Sequence, residues 1–268
     1  MLGGGSGDPT SCHYAKNSYA VLRGVYADIK EIRIMVTLPT LPELLEAGVH
    51  FGHKTARWNP KMKSSIFASK SGVHIINLEK TQEQLKAALD FLATETKAGK
   101  TVVFVGTKKQ AQEIVKKAAE SCNMPYVTAR WLGGTITNFD IVQKAFKKLE
   151  RSKLTLQSNE AEEMSKRDKS LMQKEIEKSE RLVGGLVSLQ KRPDVLILIG
   201  AYDEKNAILE ANMLGIPTIA LVDSNADPKK VTYPIAANDD ATKSISLFSE
   251  LFAKTIKENK FVAKVAEK

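Results

Sequence analysis

Between Glu46 and Glu79 the sequence carries no carboxylate, while Lys54, Arg57, Lys61, Lys63 and Lys70 all fall inside that stretch. Phe51 and Trp58 are interleaved with the cations, and Asn59 follows the second ring. Cations at this density suit phosphates, and planar rings or a guanidinium can stack on unpaired bases, so the pattern reads as an RNA surface. Trp58 has a second reading, as a half-buried anchor that packs this loop onto the domain. His50 and His53 stand three apart. A zinc site needs further ligands at usable spacing, and none follows, so no metal is expected and His53 is placed with the RNA-facing residues.

A second group runs from Arg130 through Trp131, Leu132, Gly133, Gly134 and Thr135 to Asn138 and Phe139. Paired glycines let the backbone approach a ligand closely. Thr135 or Thr137 at the start of the following helix would leave N–H groups for a phosphate. The stretch matches neither the dinucleotide nor the Walker phosphate loop, so the expected ligand is an RNA backbone, with a tight loop held by a packed Trp131 as the alternative. Lys108 and Lys109 follow Val105-Gly106-Thr107, at the carboxyl end of an expected strand, where open α/β sheets bind ligands. Asp203, Asp223 and Asp227 lie near later strand ends. No histidine or nucleophile accompanies them in their own stretch, so catalysis is not expected.

The elements that must position these residues read as repeated βα units. Val102–Val105 is short, β-branched and closed by Gly106. Ala111, Ile114, Val115 and Ala118 then recur on one helical face, and a strand is expected over Tyr126–Ala129. Val195–Ile199, a helix over Glu204–Leu214 and Thr218–Val222 repeat the pattern. Val73–Ile76 precedes a helix whose Thr81 and Gln84 have capping-box spacing and whose core face is Leu85, Ala88, Leu89 and Leu92. Such repetition implies an α/β fold: a Rossmann- or flavodoxin-like parallel sheet flanked by helices. Thr135 to Val183 holds neither Gly nor Pro. Two stripes, Ile141, Val142, Ala145, Phe146, Leu149 and then Met164, Leu171, Met172, Ile176, Val183, predict an inserted helical hairpin. The expected boundaries are 1–34 for a disordered or non-native extension with Met35 as functional start, 35–136 and 184–255 for the α/β domain, 137–183 for the hairpin and 256–268 for a basic tail.

The 268 residues include 40 Lys+Arg against 31 Asp+Glu, a net charge of +9 that favours polyanionic partners. Two cysteines, Cys12 and Cys122, are too few and too distant for a disulfide framework and fit a reducing cytoplasm. No apolar run reaches the ~18 residues that span a bilayer. No secretory signal is read at the start.

Six segments together resemble the bacterial family of small-subunit ribosomal protein number two. They are Leu44 to His53; Arg57 to Met62; Phe104 to Ala111; Arg130 to Thr135 with Thr137 to Phe139; Leu214 to Pro217; and Asn238 to Ala241. The resemblance covers about Leu41 to Leu251. It implies the same sheet with its inserted hairpin, and a structural role without catalytic residues or cofactor. It further implies binding of small-subunit ribosomal RNA at the junction of head and body. Implied protein partners are neighbouring ribosomal proteins, among them the large messenger-capturing first protein, with no homo-oligomer, membrane or small-molecule substrate. Gly200-Ala201-Tyr202-Asp203, Thr128-Ala129 and Ala226 depart from the family's usual residues, and residues 1–34 match nothing in its pattern. The rival readings are a phosphate-ligand enzyme on a similar sheet and an RNA-binding regulator outside ribosomes. If the basic segment meets RNA, replacing Lys61 and Lys63 by Ala should flatten the log–log salt dependence of RNA binding by roughly 1 unit per lost contact. Titrations across a salt series measure that slope, and an unchanged one removes both lysines from the interface.

Overall fold

The computed structural model describes residues 38–158 and 165–260. The expected extension over 1–34, the start at Met35 and the residues from 261 onward lie outside them. The chain runs α1 (Leu41–Glu46), β1 (Phe51–Lys54), two 3-10 turns (Thr55–Arg57 and Pro60–Ser65), β2 (Ile66–Lys70), β3 (Val73–Ile76), α2 (Leu78–Lys97), β4 (Val102–Val105), α3 (Lys109–Ser121), β5 (Tyr126–Val127), α4 (Phe139–Gln157), α5 (Lys166–Val183), β6 (Val195–Ile199), α6 (Lys205–Met213), β7 (Thr218–Val222), β8 (Tyr233–Ala236) and α7 (Thr242–Asn259). The larger sheet is parallel throughout, in the order β5-β4-β6-β7-β8. Its central strands are buried along their whole length, as Val-Val-Phe-Val, Val-Leu-Ile-Leu-Ile and Thr-Ile-Ala-Leu-Val foretell for strands covered on both faces. The chain steps from β4 out to β5 and returns to place β6 on β4's other side. The order therefore reverses between β4 and β6, where doubly wound folds open a ligand crevice.

Val73–Ile76, read as one of the repeated βα units of a mostly parallel sheet, does not join the large sheet. It is the centre of a second, antiparallel sheet, β1-β3-β2. This small sheet is fastened to the carboxyl ends of the large one. The His53 N–H donates to Ser224 Oγ at 2.8 Å, the Asn59 N–H to the Ser224 carbonyl at 2.7 Å, and the Asn238 N–H to the Val49 carbonyl at 3.0 Å. The acid-free segment thus hangs on the ends of β7 and β8.

The capping box expected at Thr81 and Gln84 is also corrected. The helix begins earlier, at Leu78, and its cap is Asn77, whose side-chain oxygen accepts from the N–H groups of Glu79 and Lys80. Thr81 and Gln84 lie a turn inside and grip β8. The Thr81 hydroxyl donates to the Ala236 carbonyl at 2.5 Å, and Gln84 Oε1 accepts the Ala236 N–H at 2.8 Å. Leu85, Ala88, Leu89 and Leu92 are fully buried as expected.

Two helices, α4 and α5, occupy the chain between β5 and β6. Lys153 of α4 meets Glu180 of α5, and Gln143, nearer the start of α4, donates to the Gln190 carbonyl beyond the end of α5, so the pair is antiparallel. Residues 159–164 between them, with Met164 of the expected stripe, lie outside the described set. Phe139, Phe146, Leu149, Ile176 and Val183 join the core that includes Val103, Leu196 and Leu198. Ile141 and Leu171 are solvent-facing, correcting their place in the stripes. The last helix continues to Asn259 with Ile256 fully buried, so the core passes the boundary expected at 255. Replacing Thr81 by Val keeps the shape and removes the donor to a buried carbonyl. Urea unfolding should show a loss of about 1–2 kcal/mol with an unchanged slope.

Candidate nucleic-acid interface

The carboxyl ends of β4 and β6, flanking the crevice, present Thr107-Lys108 and Gly200 to Glu204. Lys108 turns inward. Its ammonium lies 2.6 Å from Asp239 Oδ1, 2.8 Å from Asp240 Oδ1 and 3.3 Å from Asp203 Oδ2. Burial opposes the Lys108 charge, but the pull of Asp239 and Asp240 outweighs it and raises the group above the usual lysine range. Asp239 is fully buried. Burial pushes it up to about 6 despite Lys108, since Asp223 and Asp240 add like charge. One ammonium shared among several carboxylates explains both shifts: the lysine feels all of the acids, whereas Asp239 feels one cation and two anions. Beside it, Glu204 accepts the Thr107 N–H at 2.8 Å, and burial raises its pKa against that hydrogen bond. Gly200, at φ +98, is the only residue type that fits there easily, for a Cβ would press on Asp239 Oδ2 and Lys108 Cε. The crevice is therefore closed by the chain's own charges, which removes Lys108 from the expected phosphate contacts. Lys109, at the first turn of α3, stays exposed and makes no ion pair among the described residues.

His53 completes this cluster. Its Nδ1 is 2.8 Å from Asp223 Oδ2, its Nε2 is 3.5 Å from Asp240 Oδ2, and Asn225 Nδ2 stands 3.2 Å from Nε2. The Asp223 hydrogen bond raises its pKa against the opposing effect of burial, helped by Asp239 and Asp240. The sequence places no histidine in the stretch that holds Asp223, yet the fold brings one there from β1. The pair weighed for a metal, His50 and His53, separates: His50 faces the groove with Leu41, Leu45 and Phe67. The group that could hold a cation is instead His53, Asp223, Asp239 and Asp240, whose ligand atoms lie within 4.8 Å of one another, with the Lys108 ammonium already supplying positive charge there. The signal available in sequence was Asn238-Asp239-Asp240, part of one of the six family-like segments. Asn238 closes the turn ahead of α7, its Oδ1 accepting from the N–H groups of Asp240 and Ala241, while the cap position, Ala241, makes no side-chain cap bond.

The Arg130–Asn138 loop meets a different anion from the one expected. Glu210 of α6 takes its donors. Oε1 accepts from Trp131 Nε1 at 3.1 Å and the Gly134 N–H at 2.8 Å, and Oε2 from the N–H groups of Ile136 at 3.1 Å and Thr137 at 3.3 Å. Burial would raise the Glu210 pKa, but the donors of Ile136, Gly134, Trp131 and Thr137 hold it below the usual carboxylate range. Trp131 is buried, in agreement with the loop-anchor reading. Thr135 donates to the Leu132 carbonyl rather than capping α4, whose cap position, Asn138, makes no side-chain cap bond. Gly133 has nothing beside it, while Gly134 stands at φ +88. No sequence motif links Glu210 to this loop, 76 residues away from Gly134.

What remains outward is the small sheet and its turns. Lys54, Arg57, Lys63 and Lys70 are exposed and pair with no carboxylate among the described residues. Arg130 is likewise exposed and unpaired. Lys61 is spoken for: its ammonium lies 2.5 Å from Asp227 Oδ2, and Asn59 Oδ1 caps the turn through the Lys61 N–H. Trp58 is 38% exposed with its ring centroid 5.3 Å from that of His74, so one face anchors the loop and the rest is open. Free cations around a partly open indole form a surface for a phosphate backbone.

Residues 44–259 match the family model described as ribosomal protein S2. The chain belongs to that family. Its relatives include the small ribosomal subunit protein uS2 of Coprothermobacter proteolyticus, 44% identical over 82% of each chain. That of Wolinella succinogenes is 45% identical over 84% of this chain and 83% of its own. This S2 family member therefore shares its ancestry with ribosomal structural proteins rather than enzymes, and the closed crevice is the physical counterpart. Replacing Lys108 by Met would strip buried Asp239 of its cation. The expected cost is about 3–5 kcal/mol in urea unfolding, while the exposed Lys109→Ala should change stability by less than about 0.5 kcal/mol.

Proposed function

We propose that this chain is a structural constituent of the small ribosomal subunit and holds ribosomal RNA through the outer face of its small sheet. The observation that carries the reading is the division of the cations. Lys61 and Lys108 are bound to the chain's own carboxylates, whereas Lys54, Arg57, Lys63, Lys70, Lys109 and Arg130 keep their charge for an external anion. The RNA-facing set put forward is therefore Lys54, Arg57, Trp58, Lys63, Lys109 and Arg130. Asn59 and Lys61 shape the turn beneath it, and Trp131, Gly133, Gly134, Thr135 and Asn138 support it from the neighbouring loop. Unpaired positive charge on the small sheet and its turns, with the crevice lysine held by its own carboxylates, favours this reading over a phosphate-ligand enzyme.

The finer assignments are proposals of the same kind. The junction of head and body is the RNA site put forward, with the paired helices α4 and α5 reaching a second RNA segment. Lys144, Lys147, Lys148 and Arg151 on α4 and Lys174 and Lys178 on α5 give that pair exposed cations. Docking of the large messenger-binding first protein is assigned to a surface of different chemistry. Leu41, Leu45 and Phe67, 39%, 57% and 75% exposed, offer an apolar face that suits protein and not phosphate.

Sucrose-gradient fractionation of cells expressing a tagged chain tests the main reading. The chain is expected to sediment with the small subunit, and the Lys54/Arg57/Lys63→Ala variant to shift toward the light fractions while melting like the parent. Exclusive recovery of the unaltered chain in light fractions would sink the ribosomal assignment and favour a free RNA-binding regulator.

A further inference from the structure

Glu210 is the only acid among the described residues whose carboxylate gathers an entire loop, and that loop leads directly into α4. Five donors converge on it: Trp131 Nε1, the N–H groups of Gly134, Ile136 and Thr137, and Thr137 Oγ1 at 3.4 Å. The carboxylate stands where the paired glycines would otherwise receive a phosphate, so the loop's anion site is filled from within. Glu210 belongs to α6, whose Ala207, Ile208 and Ala211 are buried in the core, so the loop is referenced to the β6–β7 unit. The Asn138 N–H donates to the Gly134 carbonyl at 2.8 Å, and the helix begins one residue later. Any swing of α4 about its root must break several of these bonds at once.

The other root of the helical pair is held differently. After Val183 the chain passes through Gly184 and Gly185 against the edge strand β5, where a Cβ on Gly185 would collide with the Tyr126 carbonyl and ring. That contact rests on close approach of backbone to the Tyr126 carbonyl and ring. Farther along, between α5 and β6, Asp194 accepts from the Thr101 N–H at 2.8 Å and the Lys191 ammonium at 2.9 Å. Among the described residues only Glu210, at the α4 root, draws a whole loop onto one carboxylate.

We infer that Glu210 is the positioning residue that sets the direction in which the α4–α5 pair leaves the sheet domain, so that pair and basic segment engage RNA together. The consequence for RNA rests on the reading given under Proposed function; the effect on direction does not. Two sites held in one geometry bind as a bivalent unit, and freeing one reduces the effective concentration of the second contact. The Arg130–Asn138 loop then serves RNA through what it holds in place.

Distance measurement between spin labels decides the matter. The labels are placed at Ser170→Cys on α5 and Lys97→Cys on α2, in a chain carrying Cys12→Ser; Cys122 is buried and its thiol pushed up to about 11, so it stays unlabelled. Glu210→Gln keeps the side-chain volume but turns an amide N–H group toward the donors. Trp131→Phe keeps the carboxylate and removes one donor. The interlabel distribution is expected to broaden in Glu210→Gln and less so in Trp131→Phe, with cooperative urea melts in both. Affinity for small-subunit RNA is expected to fall about ten-fold in Glu210→Gln. An unchanged distribution in both variants overturns the inference, and a broadened one with parental RNA affinity overturns the positioning role in RNA binding. If the parent chain itself fails to bind that RNA, the functional reading is what fails, and the distances still decide the direction-setting role.

Discussion

The ion cluster around Lys108 is the constraint on which the arrangement depends. It joins the end of β4, the turn after β6, the Asn238–Ala241 turn after β8 and, through Asp223, Asp240 and His53, the small sheet. A buried lysine and a buried aspartate each carry a desolvation cost of several kcal/mol, which their mutual attraction offsets only when geometry and extra hydrogen bonds are good. Here the lysine has three carboxylates within 3.3 Å. Elements distant in sequence are thereby held to one relative placement, and hydrophobic burial of the sheet alone would leave that placement loosely specified.

The same principle operates twice in this fold. A doubly wound sheet offers two ready anion sites, the crevice at its switch point and a glycine-rich loop before a helix. In this chain Lys108 with its acids fills the first and Glu210 fills the second. A scaffold of this topology has its ready ligand positions satisfied internally here, and recognition moves to exterior surfaces. The exterior that results is chemically divided: cations and a half-open indole on the small sheet and its turns, apolar groups at Leu41, Leu45 and Phe67.

Much of this was legible residue by residue. Val102–Val105, Val195–Ile199 and Thr218–Val222 announce buried parallel strands because uninterrupted β-branched runs have no other good solution. Leu85, Ala88, Leu89 and Leu92 announce a packed helical face by their period. Thr81 and Gln84 misled for a physical reason: a capping box and a side-chain clamp on a neighbouring strand use the same groups at the same spacing, and only the neighbour distinguishes them. Val73–Ile76 misled because strand propensity says nothing of which sheet will take the strand. Lys61 and Lys63 look alike in sequence, yet Asp227 claims the first, so a salt-slope measurement made one lysine at a time should separate them.

The sequence by itself determined the strand and helix types, the parallel sheet, the family motifs and the excess of positive charge in an acid-free segment, since these follow from local composition and period. Tertiary structure alone decided which charges remain free. His53 finds Asp223, Lys108 finds Asp239, and Glu210 finds the Trp131 loop across separations of 170, 131 and 79 residues or so. An electrostatic partner is chosen by distance in space, over a few ångströms, and sequence spacing carries no record of that distance until the sheet has brought its ends together.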